Sequence, residues 1–250
     1  MKRIITLKSG QFMSRKLFDD FDGFAKDYRR AHNEVIKISG TDSDYFSEQK
    51  VGEIRKRENG GFHRILDIGC GDGNSAVFFQ KHFRGCEYAG IDTSIESIKI
   101  ARERELPGTN FVHYDGFDMP FTKASFDIAF IACVLHHIDS KQHETMLLEA
   151  KRILRPGGRL YVFEHNPLNP VTRRVVRSCA FDEDAVLMTS SYLRKLLLRL
   201  KFQSVNVAYT IFFPRHRIFR GMLSLERYLS WLPLGGQYYV RSVKSGASKS

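Results

Sequence analysis

The stretch "ILDIGCGDGN" (Ile65 to Asn74) places three glycines at alternate positions directly after an apolar run that carries one carboxylate. Glycine has no Cβ, so such a bend lets a ligand lie against the main chain. The dinucleotide fingerprint G-x-G-x-x-G would need glycine at position 74, where this chain has Asn; the spacing is G-x-G-x-G. Asp67, just ahead of the bend, would repel a pyrophosphate and suits a ligand with a positive end, such as an amino-acid ammonium. Two further groups could do chemistry. His136 and His137 follow the run "FDIAFIACVL", and Glu164, His165 and Asn166 follow "RLYVF". An imidazole titrates near neutrality and can take a proton from an acceptor, which a neighbouring carboxylate can orient or assist.

The elements that must position these groups are legible in the hydrophobic pattern. Nearly continuous apolar runs occur at 64–69, 86–92, 126–134 and 159–164, with "NFVHYD" (110–115) as a fifth. Continuous rather than alternating apolarity, with helical stretches between, describes strands covered on both faces, hence a parallel α/β sheet. Thr93 and Glu96 form a T-x-x-E capping box for the helix after the second run. Asp139 or Ser140 is placed to cap the helix containing Met146, Leu147, Ala150, Ile153 and Leu154, and Pro156-Gly157-Gly158 to stop it. Later come helices at about 169–179 and 190–200, a strand at 204–213, a basic helix at about 215–231 and a strand at 236–244. The first 60 residues lack this rhythm. Phe18, Phe21, Phe24, Ala25 and Tyr28 recur at helical spacing, so residues 1–60 read as a helical cap, 61–244 as the main domain and 245–250 as a disordered tail.

"ILDIGCGDG" resembles the first motif of class I S-adenosylmethionine-dependent methyltransferases, and the resemblance continues in order over residues 62–164: "YAGIDTS", "HYDGFDMPF", "FDIAFIACVLHHI" and "RILRPGGRLYVFE". It implies a doubly wound, Rossmann-like, mostly parallel seven-stranded sheet of order 3-2-1-4-5-7-6, with the last strand antiparallel. It also implies S-adenosylmethionine as cofactor and S-adenosylhomocysteine as product. On this resemblance Asp67, Gly69, Cys70 and Gly71 cradle the methionine part, and Asp92 with Thr93 meets the ribose. Asp115, Gly116 and Phe117 hold the adenine, and Ile131 and Ala132 offer main-chain atoms to the methionine end. Tyr28 closes over the cofactor as in many relatives, and Tyr114, in place of the usual glycine, crowds the adenine side. Relatives with the same "LHH" segment suggest a histidine base, His137 being favoured over His136. Glu164, His165 and Asn166 then orient the acceptor or assist the base.

The net charge of +11 is unevenly spread: residues 165–250 carry 14 Lys and Arg against 4 Asp and Glu, whereas residues 61–164 carry 12 against 14. A basic segment of this size favours an anionic partner. Arg173 and Arg177, which share a helix face, and Arg217 within "FFPRHRIFR" are expected to bind a phosphate or carboxylate of the acceptor. The leading reading is a methyltransferase acting on O or N of a polar small molecule, such as a sugar derivative, an anionic one included, working as monomer or homodimer. An RNA methyltransferase using the basic last third is the second, and a non-catalytic scaffold of the same fold the third. No D/N-P-P-Y/F motif follows the fourth strand. The four cysteines are widely spaced without CxxC, so neither a zinc site nor a redox pair is expected. No run approaches the roughly 20 apolar residues of a membrane span, and the N-terminus lacks a signal-peptide pattern, which places the chain in the cytoplasm.

Overall fold

A computed structural model describes residues 43–58, 62–179, 184–213 and 221–246. The expected N-terminal helix with Tyr28, the basic residues Arg215, His216, Arg217 and Arg220, and the last residues of the tail lie outside the described residues.

Helix α1 (Ser43–Arg57) leads into β1 (Arg64–Ile68), α2 (Asn74–His82), β2 (Glu87–Asp92), α3 (Ile95–Arg102), β3 (Thr109–His113) and β4 (Phe126–Ala132). A one-turn 3-10 helix, Leu135–His137, precedes α4 (His143–Ile153), β5 (Leu154–His165), α5 (Pro170–Ser178) and α6 (Ser190–Arg199). The chain then forms β6 (Phe202–Thr210), α7 (Glu226–Leu229) and β7 (Gln237–Lys244). The seven strands form one sheet in the order β3-β2-β1-β4-β5-β7-β6. The pairs from β3 to β5 are parallel, and β7 runs antiparallel to both β5 and β6. This is the expected doubly wound sheet. Its central strands are apolar on both sides because both faces are covered. Leu66, Ile68, Ala129, Ile131, Leu160 and Val162 pack with α4 and α6 on one face. Ile65, Ile128, Phe130, Tyr161 and Phe163 pack with α1, α2 and α3 on the other. Among the described residues no helix is long and apolar enough to cross a membrane.

Several local expectations are corrected. The cap of α3 is Ser94, whose side chain accepts from the Ser97 N–H at 3.1 Å, and not Thr93. Helix α4 starts after Gln142 without a side-chain cap; Asp139 instead closes a turn, its carboxylate accepting from the Lys141 N–H at 2.9 Å. The same helix ends at Ile153, ahead of Pro156-Gly157-Gly158, which bend the start of β5 with Gly157 at φ +77°. The basic helix expected at 215–231 is, in its described part, a 3-10 turn (Leu223–Leu225) and the one-turn α7.

Helix α1 is bound to the sheet by a buried carboxylate. Glu58 accepts from the Tyr161 hydroxyl at 2.5 Å, from Arg159 at 2.7 Å and from Arg241 at 3.2 Å, drawing β5 and β7 to the end of α1. At its other end Ser47 accepts from the Asn74 amide at 3.0 Å, which sets α1 beside the start of α2. Glu58→Gln keeps the shape but removes the charge that both arginines share. The expected loss is about 2 kcal/mol, read from urea unfolding, with faster amide exchange in 43–57; unchanged exchange there would dissociate Glu58 from the anchoring of α1.

Candidate active site

The glycine bend is laced to β2. The N–H groups of Gly69 and Cys70 both donate to the Ile91 carbonyl, at 2.8 and 3.0 Å, and the Gly71 N–H donates to the Asp92 carboxylate at 2.8 Å. The other Asp92 oxygen accepts from Ser94 N–H at 2.9 Å. Burial pushes the Asp92 carboxyl up, and the N–H groups of Ser94, Gly71 and Thr93 pull it back. The three glycines do different work. A Cβ on Gly71 would meet nothing within 4 Å, so this residue opens the cradle. A Cβ on Gly69 would lie 2.4 Å from Val134, so this residue is packed on the side where a side chain would stand, while its main chain is half-buried. Gly73, at φ +75°, lets α2 approach the sheet: its Cβ would fall 2.9 Å from Phe111 and 3.0 Å from Ala101. It does the packing that the third glycine of the dinucleotide pattern does, one position earlier.

Asp67 is 1% exposed. One of its oxygens accepts from the Tyr88 hydroxyl, and Oδ1 has no partner among the described residues. Burial pushes its carboxyl up to about 7, against the pull of the Tyr88 hydroxyl and the Lys50 charge. Cys70 turns its side chain under the loop, 7% exposed and against Gly90, so only its backbone faces outward, and burial raises its thiol. At the end of β3, Tyr114 is 7% exposed in the core, with Asp92, Asp115 and Cys70 acting on its phenol. Asp115 is exposed and one oxygen accepts from the N–H groups of Phe117 at 3.0 Å and Asp118 at 3.2 Å, the chain turning at Gly116 with φ +86°. Thr93 contributes its carbonyl, which accepts from His113 at 3.1 Å.

The second half of the site follows β4 and β5. Cys133 turns through a left-handed conformation (φ +58°), and Val134, packed on Gly69, sets the 3-10 turn beside the glycine loop. His136 lies 2.6 Å by Nδ1 from Glu164, whose other oxygen accepts from the Leu135 N–H at 2.9 Å. Both side chains are 1% exposed. Burial alone would raise the Glu164 carboxyl; the charge and hydrogen bond of His136, then His165 and the Leu135 N–H, hold it below its ordinary value. An ionised carboxylate accepts only, so Nδ1 carries a proton toward Glu164. The rings of His137 and His165 stand 4.1 and 5.2 Å from that of His136. His143 fastens the turn from below: Nε2 donates to the carbonyls of Leu135 and Ile138 at 2.8 and 3.0 Å, and Nδ1 accepts from Tyr192 at 3.1 Å.

Residues 65–158 match the family described as "Methyltransferase domain". A phthiotriol/phenolphthiotriol dimycocerosates methyltransferase of Mycobacterium leprae is 34% identical over 109 residues, 43% of this chain and 40% of that protein. A fatty-acid O-methyltransferase of Mycolicibacterium smegmatis is 35% identical over 96 residues, 38% of this chain and 34% of that protein. This chain therefore spans well under half the length of these curated relatives. A solved SAM-dependent methyltransferase from Thermotoga maritima superposes with a TM-score of 0.65 at 21% identity, covering 92% of this chain and all of that one. Over residues 65–158 this chain is similar to the methyltransferase-domain family, and its sheet has the fold of the solved SAM-dependent methyltransferase.

The carboxyl edge of β1 to β5 brings together Asp67, Gly71, Asp92, Asp115, His136, His137, Glu164 and His165. Ile131 is fully buried and Ala132 half-buried, so both can contribute only main-chain atoms or a methyl group. Asn166 is corrected. It is 1% exposed, its amide donates to the carbonyls of Pro233 and Gly235 at 3.1 and 2.8 Å, and its oxygen accepts from the Leu168 N–H; it clasps a turn and has nothing left for an acceptor. Glu164 is likewise buried and engaged at both oxygens, by the Leu135 N–H and by His136. Arg173 and Arg177 do share an exposed face of α5, around a surface depression of about 470 Å³ that Arg174 also lines. Tyr88, Val134 and His143 were not anticipated, nor was the packing role of Gly73, although the G-x-G-x-G spacing marks that residue. Of the other three, His143 alone left a trace in the sequence, a histidine in the helix that follows the "LHH" turn.

Proposed function

We propose that residues 61–244 bind S-adenosylmethionine at the glycine bend and transfer its methyl group to an oxygen of a small acceptor, with His136 as the base and Glu164 as its positioning partner. The observation that carries this reading is the buried Glu164–His136 pair standing, through Val134, against the loop that Asp92 laces. The residues suit the cofactor. The open side of Gly71 is a cradle that any Cβ would begin to fill, and the unpaired, buried Asp67 Oδ1 matches an ammonium group. When bound, the sulfonium supplies an electrophilic methyl with a thioether leaving group. The protein has to align the acceptor, exclude water and remove a proton. Asp92 meets the ribose hydroxyls, and Asp115 with the Gly116 amide meets the adenine edge beside Phe117. His136 takes the acceptor proton on Nε2 while Glu164 stabilises the imidazolium, and His137 and His165 wall the acceptor space. This moves the base role from His137, favoured by the motif alone, to the histidine with a carboxylate behind it. Phthiotriol and fatty-acid relatives favour an acceptor with an apolar body and an O–H end. A sugar derivative shares that end.

The test is transfer of a trideuteromethyl label from the cofactor into fractionated cell extract. Label in an organic or small-molecule fraction is expected. Label in RNA would establish the second reading, and failure of S-adenosylhomocysteine to bind in calorimetry would remove the first.

Asp67 adds a pH signature. Its raised value means the folded chain holds that proton more tightly than the unfolded chain. Its contribution to stability is complete below the unfolded value near 3.8 and is withdrawn as pH rises through about 7. A ligand ammonium needs the ionised form. Affinity for S-adenosylhomocysteine is therefore expected to weaken by roughly tenfold on lowering pH from 7.5 to 6. Asp67→Asn should flatten that slope and unfold at higher denaturant than wild type at pH 8; a slope retained in Asp67→Asn would place the titrating group elsewhere.

A further inference from the structure

One edge of the molecule carries a set of exposed apolar and basic side chains that the proposed chemistry does not use. Leu168 is 57% exposed, Val171 61%, Tyr228 61%, Trp231 73% and Leu234 57%. They come from two segments that are bound together: the Asn169 side chain donates to the Leu234 carbonyl at 2.7 Å, and the Thr172 hydroxyl to that of Gly236 at 2.9 Å. Next to them on α5 lie Arg173, Arg174 and Arg177, around the depression. None of these three guanidinium groups pairs with a carboxylate among the described residues. On the second segment Arg227 stacks on the Tyr228 ring at 4.6 Å.

We propose that this face docks on an anionic phospholipid bilayer. Large apolar side chains clustered in the open are rare on a monomeric surface and mark an interaction site. A tryptophan and a tyrosine beside leucines have the makeup of a layer that sits at headgroup depth. Arginines flanking that layer complement lipid phosphates, each basic group near an anionic surface adding to the attraction. A nucleic-acid face would need the cations without leucines at their centre; a protein partner would need a matching apolar surface, which the arginines beside the leucines do not favour. The patch follows β5, on the same sheet edge as His136 and Glu164, so a docked molecule presents its acceptor space to the bilayer surface, where an apolar-bodied acceptor resides.

Trp231 is the single tryptophan of the chain and makes the test direct. The full chain is mixed with vesicles of phosphatidylcholine containing phosphatidylglycerol, and with pure phosphatidylcholine vesicles. Expected are a blue shift of Trp231 emission and co-sedimentation with the anionic vesicles, at least tenfold weaker on the neutral ones. Leu168→Ser with Leu234→Ser, and separately Arg174→Glu with Arg177→Glu, are each expected to weaken binding at least tenfold at unchanged far-ultraviolet circular dichroism. No binding by wild type, equal binding to both vesicles, or binding that survives both pairs overturns the proposal. So does RNA binding lost with the arginine pair while vesicles are ignored. Affinity for S-adenosylhomocysteine, read in the same samples, is independent of these changes, so failure here and failure of the proposed activity are distinguishable.

Discussion

Glu164→Gln is expected to lower turnover by about a hundredfold or more while affinity for S-adenosylhomocysteine stays within threefold. The buried carboxylate sits behind the proposed base with one oxygen on Leu135 N–H and the other on His136, so on the proposed reading its loss falls on the proton transfer. Glutamine can present an N–H to Nδ1 and reverse the tautomer, or present its oxygen and leave the imidazolium without a counter-charge; both disarm Nε2. Stability supplies a second readout. The folded Glu164 is held below its ordinary value, so the pair contributes fully above the unfolded value of 4.5 and its contribution is lost as pH falls through the lowered one. A buried pair broken on one side costs about 3 kcal/mol. The unfolding free energies of wild type and variant, from urea titration, should differ by that amount at pH 7 and converge as pH falls through the lowered value. Equal turnover of the two proteins would remove His136 from the base role; His137→Ala and His136→Ala then decide between the remaining imidazoles.

The second large effect is expected at Asp92. Asp92→Ala removes the acceptor of two loop N–H groups, Gly71 and Ser94, together with the group proposed for the ribose. Each N–H left unpaired in a buried setting costs about 1–3 kcal/mol. Affinity for S-adenosylhomocysteine should fall between tenfold and a hundredfold in calorimetry, roughly as those energies convert, and the melting temperature should drop by a few degrees. Asp92→Asn keeps one acceptor oxygen and should recover part of both losses. Wild-type affinity in Asp92→Ala would take the ribose contact away from this residue.

The central strands could be read before any coordinates because β1, β2, β4 and the second half of β5 are buried on both faces and therefore written as nearly unbroken apolar runs, whereas the strand order came with the resemblance and the edge strands β3 and β6 are only partly buried. The five motifs then fixed the register of the edge where the charged residues gather. What stayed hidden depends on contacts between distant segments. Thr93 and Ser94 are both competent caps, and which one serves is decided by where Asp92 draws the chain. Val134 behind Gly69 lies in the turn after β4, and Phe111 beneath Gly73 lies in β3, so the glycine pattern alone could not tell the one glycine that leaves open space from the two that are packed. Asn166 looked like a polar residue at an active edge; its partners are main-chain carbonyls nearly 70 positions later, and nothing local announces them. His136 and His137 are adjacent in sequence and equivalent by motif. Only the register of β4 against β5, which brings Glu164 under one of them, tells them apart.

The strand that completes this edge is the last to be made. β7 slots between β5 and β6, pairing His165 with Gln237 and Glu164 with Tyr238, so until residues 237–244 leave the ribosome β5 is a bare rim of the sheet. The nascent chain can lace its glycine bend early, from neighbouring strands, yet it holds the Glu164–His136 pair next to an unfinished border with open backbone groups. The glycine bend and the Glu164–His136 pair thus gain their surroundings at different moments of synthesis, and the exposed rim is the place where a stalled or shortened chain would join to another copy.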